Sequence, residues 1–136
     1  MVCLPEGHRL AARKDVDLGD LREESFILYE RKWAPGFHDL LGSMCQRAGF
    51  APSVAQEIDE MYVAATLVAT GAGVAVLPRM VVSLPTNGIL VKPISGAPML
   101  SEIGVATRES EESPLVGSIV SISQVVGRLY SMSNVT

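Results

Sequence analysis

Leu67-Val68-Ala69-Thr70-Gly71-Ala72-Gly73-Val74-Ala75-Val76-Leu77-Pro78 is the stretch on which the fold turns. Its first part continues a helical pattern that starts after Asp59, with Val63, Ala64, Leu67 and Val68 as its apolar residues. Gly71 stops that helix. Residues 74–77 are an unbroken apolar run, the kind found in strands covered on both faces, and Pro78 ends it. A helix feeding a fully buried strand is the repeating step of an α/β protein. Gly71-Ala72-Gly73 also has the composition of a dinucleotide loop. It follows a helix and precedes a strand, the reverse of the order that presents amides to a phosphate, so a helix stop and tight turn is the preferred reading.

Upstream, Ser25-Phe26-Ile27-Leu28-Tyr29 is a short β-favouring run. Polar residues and Pro35 break the chain after it. Phe37, Leu40, Leu41, Met44, Cys45 and Ala48 then recur at helical spacing on one face, and Gly49 ends the helix in the manner of a left-handed cap residue. Residues 53–58 read as a strand with Val54, Gln56 and Ile58 on one face. Asp59 is the expected N-cap of the following helix, with Glu60 near its positive end. Residues 17–21 read as a short helical turn, and residues 4–10 as a Pro- and Gly-containing loop.

Downstream, Asn87-Gly88 signals a turn. Residues 89–91 read as a strand, 96–98 as loop and 102–107 as a further strand. Ser113-Pro114 starts a last helix, with Ser as N-cap and Pro at the first helical position. Leu115, Ile119, Ile122, Val126 and Leu129 form its apolar stripe, widened by Val116 and Val120. The alternation of strands and helices predicts an α/β fold, a mostly parallel sheet with helices on both faces.

The length suits one domain or a large piece of one. Of 136 residues, 48% are hydrophobic and 19% charged, too apolar for disorder. The net charge is −4, and the cationic pairs Arg13-Lys14 and Arg31-Lys32 are isolated. Direct nucleic-acid binding needs clustered cations, so the composition argues against it here. No apolar stretch of about 18 residues is present to span a membrane. Glu6, His8, Arg9 and Arg13 interrupt any signal core, which makes the cytoplasm the expected location.

Chemistry is scarce. His38 and Cys45 lie two helical turns apart, about 10 Å of rise, too far to act as a nucleophile and base. Cys45 also sits on the apolar stripe and reads as a core thiol. No Gly-x-Ser-x-Gly elbow is present, and two histidines with two scattered cysteines do not suggest a metal site. No catalytic residue and no cofactor are expected. The feature with functional character is the segment from Glu30 to Gly36, which joins the C-terminal end of a buried strand to a helix. Ligands of open α/β sheets bind at such ends, and the first helical amides, at Gly36, Phe37 and His38, carry partial positive charge. Arg31 and Lys32 add charge, while Trp33 and Phe37 add apolar surface. A carboxylate-bearing aromatic or aliphatic molecule suits this arrangement. The competing reading is a solvent loop with Phe37 in the core.

The order Leu4-Pro5-x-x-His8-x-Leu10-Ala11, Leu18-x-Asp20-Leu21, Phe26-Ile27 and Ala48-Gly49-Phe50-x-Pro52 resembles the LysR-type transcriptional regulators. The stretch 67–78 strengthens the resemblance, as do Arg108, Ser113-Pro114 and the terminal helix. The match is to the C-terminal effector-binding region, whose fold resembles type II periplasmic binding proteins, with two subdomains and a cleft between them. The resemblance implies that residues 4–100 form the second subdomain. It assigns 101–136 to a return strand and a C-terminal helix that packs on the first subdomain. Met1 is expected to be an internal start. The DNA-binding domain, the linker helix and most of the first subdomain would then lie outside this sequence.

The resemblance further implies a small-molecule effector held by the loop from Tyr29 to Phe37, with Pro35 and Phe37 at effector-contacting positions and Asp59 near the same cleft. Arg31, Trp33 and Gly36 complete the expected set. It implies DNA contact only through the N-terminal domain, and weak or no effector binding by this portion alone. Without the first subdomain the apolar stripe of the last helix is expected to fold onto the sheet or to dock on a second copy, which makes a homo-oligomer the expected state. The competing assignments are part of a solute-binding protein or, less favoured, an α/β enzyme, which would need an acid/base pair that is not found.

Overall fold

A computed structural model describes residues 1–82, 87–96 and 104–133, with side chains described to residue 129. It comprises two units, Met1–Ser101 and Glu102–Thr136. In the first unit five strands lie in the order β3 (Ser53–Ile58), β2 (Ser25–Tyr29), β4 (Ala75–Val76), β1 (Val2–Pro5), β5 (Ile89–Lys92). β2 pairs with β3 in parallel, and β1 pairs antiparallel with both β4 and β5. A parallel bridge between Phe26 and Val74 joins the two groups. Four of the five strands therefore run the same way, and β1 alone opposes them. The mostly parallel sheet expected from the alternation is present. The loop expected over residues 4–10 is corrected at its start, because Leu4 and Pro5 end strand β1, which lies between β4 and β5. Val2, Cys3 and Leu4 are fully buried, but three apolar residues beside a Pro/Gly loop are too short a run to read as a strand.

Side-chain alternation along the strands divides the core in two. Val2, Leu4, Phe26, Leu28, Val74 and Val76 point to one face, where they pack with Leu41 and Cys45 of α1 (Pro35–Arg47). Leu18 and Leu21 of a short 3-10 turn join them there, the turn being capped by the Asp17 carboxylate accepting from the Gly19 N–H at 2.8 Å. Cys3, Ile27, Ala75 and Leu77 point to the other face and pack with Ala64 and Val68 of α2 (Met61–Ala69). Both faces of the sheet are thus covered by helices.

The two helices end alike. In α1 the Phe50 N–H donates to the Cys45 carbonyl and the Gly49 N–H to the Gln46 carbonyl, each at 3.0 Å. In α2 the Ala72 N–H donates to Leu67 at 3.2 Å and the Gly71 N–H to Val68 at 2.9 Å. Both are Schellman closures, which need a left-handed residue after the cap. Gly49 and Gly71 supply it, with φ of 85° and 80°.

Three expectations need correction. Val54, Gln56 and Ile58 do not share a face. β3 aligns Val54 with Phe26 but Gln56 with Ile27, so Ala55 is an extra residue, and a one-residue slip exchanges the faces. Ile58 is buried and Val54 is exposed. Asp59 is not the N-cap of α2. That place belongs to Glu60, which makes no side-chain cap bond. Residues 104–107 form no strand, while 102 and 103 of the expected segment lie outside the described residues, as do 97 and 98 of the loop expected over 96–98. A strand needs a partner for its backbone groups, and none among the described residues is paired with 104–107.

The second unit holds α3 (Pro114–Ser133), which begins at Pro114 as expected. Glu111 accepts from the Ser113 N–H at 3.1 Å just before it. Leu115, Ile119, Ile122, Val126 and Leu129 are each more than half exposed. No helix among the described residues is long and apolar enough to cross a membrane.

Candidate functional site

The strand order creates a crevice between neighbours. The chain leaving β2 turns into α1 and on to β3, away from β4, whereas the chain leaving β4 proceeds towards β5 on the far side of β1. Ligand sites of open α/β sheets lie at the carboxyl ends of strands where connections diverge in this way. Here that point is the end of β2, at Tyr29.

The loop after Tyr29 is held by its backbone. The Glu30 N–H donates to the Ile58 carbonyl at the end of β3 (2.8 Å), and the Trp33 N–H closes a turn onto the Glu30 carbonyl (3.1 Å). α1 starts at Pro35 with Ala34 as N-cap, and no side chain caps it. Pro35 has no N–H, and the Gly36 and Phe37 amides have no hydrogen-bond acceptor among the described residues. The His38 N–H donates to the Ala34 carbonyl at 3.0 Å. The expected trio of free amides is therefore a pair, because the helix begins one residue earlier than the sequence suggested.

Beside this helix end lies a small apolar cavity lined by Leu28, Tyr29, Phe37, His38, Leu41, Gly42 and Pro52. Its volume of about 30 Å³ has room for a water or two, not for an aromatic acid. Of the expected residues, Tyr29 and Phe37 line it, and Pro35 and Gly36 stand at the adjoining helix start. Trp33 does not line it. Its side chain is 59% exposed, and Lys32 Nζ sits 5.3 Å from its ring centre. Asp59 is exposed just beyond β3. Leu28, Leu41, Gly42 and Pro52 line the cavity without being singled out for it by the sequence, and His38 is singled out there only for its amide. Phe37 and Leu41 lie one turn apart on the stripe that was read as core, which was the available signal for the helical ones. Pro52 carried none.

The two cations of the loop are already engaged. Lys32 pairs with Glu30. Arg31 Nε donates to Asp39 Oδ1 at 2.8 Å and Nη2 donates to Oδ2 at 2.7 Å. The hydrogen bonds from Arg31, helped by His38, bring the Asp39 carboxyl down from its ordinary 3.8 to about 2. A carboxyl depressed on folding stabilises the fold above its unfolded value and loses that contribution as pH falls through the folded one. The pair is accordingly expected to hold at pH 3.8 and above and to open near pH 2. An NMR titration of the Asp39 carboxyl carbon checks this, and a midpoint near 3.8 would mean that the pair does not persist in solution.

Other candidate chemistry is buried. Cys45 is fully buried against Phe26 and Leu41, and Cys3 lies in the centre of the sheet; burial pushes both thiols up, Cys3 to about 11. Among the described residues no cluster of His, Cys, Asp and Glu could hold a metal ion.

Residues 1–124 match the family model for the LysR substrate binding domain. The chain belongs to this family. The LysR domain is 36% identical over 94 residues to the HTH-type transcriptional regulator TtuA of Agrobacterium vitis, covering 69% of this chain and 31% of the relative. Among solved structures it is similar to the C-terminal domain of a probable LysR family transcriptional regulator from Rhodococcus (35% identity, TM-score 0.59, covering 70% of this chain and 47% of that one). It is also similar to the BenM effector-binding domain with its effector benzoate, at 26% identity and a TM-score of 0.77, covering all of this chain and 61% of that one. BenM is a regulator of Acinetobacter baylyi. The chain spans about a third of the length of the curated relatives it matches. The fold is that of LysR effector-binding domains, as the resemblance implied, and the relatives are transcriptional regulators.

Proposed function

We propose that this LysR domain senses a small carboxylate effector for a cytoplasmic bacterial transcriptional regulator and catalyses no reaction itself. The observation that carries the reading is the pair of unpartnered amides at Gly36 and Phe37, beside an apolar wall built from Tyr29, Phe37 and Pro52 at the diverging end of β2. Amides at a helix start favour an anion, and the wall suits an aromatic or aliphatic body. Pro35 keeps the first turn free of a competing N–H. Arg31, Trp33 and Asp59 stand on the rim. BenM, matched along this whole chain, is known with benzoate.

The opposite wall of the cleft comes from the first subdomain, outside this sequence. DNA contact belongs to the part of the relatives that this chain does not cover. The exposed stripe of α3 supports an assembly role, since apolar patches of this kind mark association surfaces. In the intact protein it packs on the first subdomain, within a homo-oligomer. Effector binding would favour one of two cleft arrangements and so change the placement of the DNA-binding domains.

The intact regulator tests this. Phe37→Ala is expected to weaken the effector response about tenfold, as loss of one aromatic contact would. Pro35→Ala should weaken it less. A response unchanged by both would place the site elsewhere.

A further inference from the structure

Arg31 and Asp39 do something other than bind an anion. Arg31 is two residues past the end of β2 and Asp39 lies within α1. Their two parallel hydrogen bonds, at 2.8 and 2.7 Å, bridge the loop to the helix across the turn at Trp33, Ala34 and Pro35. A forked pair of this kind fixes angle as well as distance. It is the exposed geometry in which an ion pair has a measurable effect. It adds to the backbone bonds of the loop where Ala34 offers no side-chain cap to fix the entry angle. The span that the pair closes contains the Gly36 and Phe37 amides and the Phe37 ring. His38 Nδ1, 3.4 Å from Asp39 Oδ1, and the neighbouring Glu30 and Lys32 are the other titratable groups at the junction.

We infer that Arg31 and Asp39 form a clasp that positions the effector loop on α1, acting on the loop and not on the ligand. The inference rests on the reading of residues 29–37 as an effector wall. With the guanidinium committed to Asp39 and Lys32 to Glu30, the amides are the anion-binding groups of this wall. The clasp keeps them presented.

Hydrogen exchange of the 136-residue chain without effector tests the clasp. Arg31→Gln and Asp39→Asn should each speed exchange of the Trp33 and His38 amides about fivefold, the upper range for an exposed pair. The Ile27 amide, bonded to Val74 at 2.9 Å in the sheet, should not change. The reversed pair, Arg31→Asp with Asp39→Arg, should restore slow exchange, which no loss of a single side chain's packing would do. Single variants that exchange like the parent would overturn the clasp, and so would a reversed pair that exchanges as fast as the singles. Because no effector is present, either failure leaves the wall to be judged by Phe37→Ala alone. A normal clasp beside an unaltered Phe37→Ala response would overturn its functional half.

Discussion

Gly73→Ala is expected to destabilise the chain by about 3 kcal/mol, the upper range for forcing volume into a packed site. A Cβ at this position would lie 2.5 Å from the Ser25 carbonyl oxygen and 3.2 Å from its carbon. Neither is the movable end of a side chain. That same oxygen accepts the Val74 N–H at 2.8 Å, and with the Ile27 N–H on the Val74 carbonyl (2.9 Å) it joins β2 to β4. Relief of the clash therefore strains or breaks the seam between the two groups of strands. The gain from a stiffer unfolded chain, about 0.4–1 kcal/mol, is too small to compensate. Gly7→Ala is the control, because a Cβ there meets nothing within 4 Å. Urea unfolding of both variants gives the comparison. A Gly73→Ala loss below about 0.5 kcal/mol, the size of a neutral surface change, would show that the strand approach is looser than described.

Phe26→Ala should cost about 4 kcal/mol, within the range for removing a buried aromatic ring. Phe26 is fully buried, and its ring lies 6.1 Å from that of Phe50 at a 37° tilt. It sits among Leu41 and Cys45 of α1, Val74 beside β4, and Leu18 and Leu21 of the 3-10 turn. The loss would leave a cavity that a backbone tied on both edges of β2 cannot close. Phe26→Leu, which keeps most of the volume, should cost less than half as much. Equal losses for the two would mean that shape at this site matters more than filled space. A total stability of about 5–15 kcal/mol is ordinary, so either of these core changes consumes a large share of it. Both also reach the site, since β2 carries Leu28 and Tyr29 to the cavity.

The segments that were legible in the sequence are those whose signal is local. Ser25–Tyr29 is apolar on both faces because both faces are covered, and it read correctly as a buried strand. The left-handed glycines Gly49 and Gly71 marked helix ends because few other residues adopt that conformation cheaply. Of the residues singled out in the sequence, Tyr29 and Phe37 line one concavity, and Pro35 and Gly36 open the helix beside it. Arg31 read as a free cation because its partner, eight residues on, is a neighbour only once the loop has turned back on the helix. Trp33 read as an apolar wall for the same reason. Its composition said nothing about which way the loop would present it.

By itself the amino-acid order determined the class of fold, the helix stops and the position of the loop between β2 and α1, since periodicity, caps and turn residues act within a few positions of the chain. Tertiary structure alone decided that β1 runs against its neighbours β4 and β5 within an otherwise parallel sheet. It also decided that Ala55 exchanges the faces of β3, and that Gly73 must be a glycine because a carbonyl from residue 25 occupies the space. Each of these depends on atoms brought together from distant parts of the chain. A contact between segments some fifty residues apart, as Gly73 and Ser25 are, leaves no period in either one.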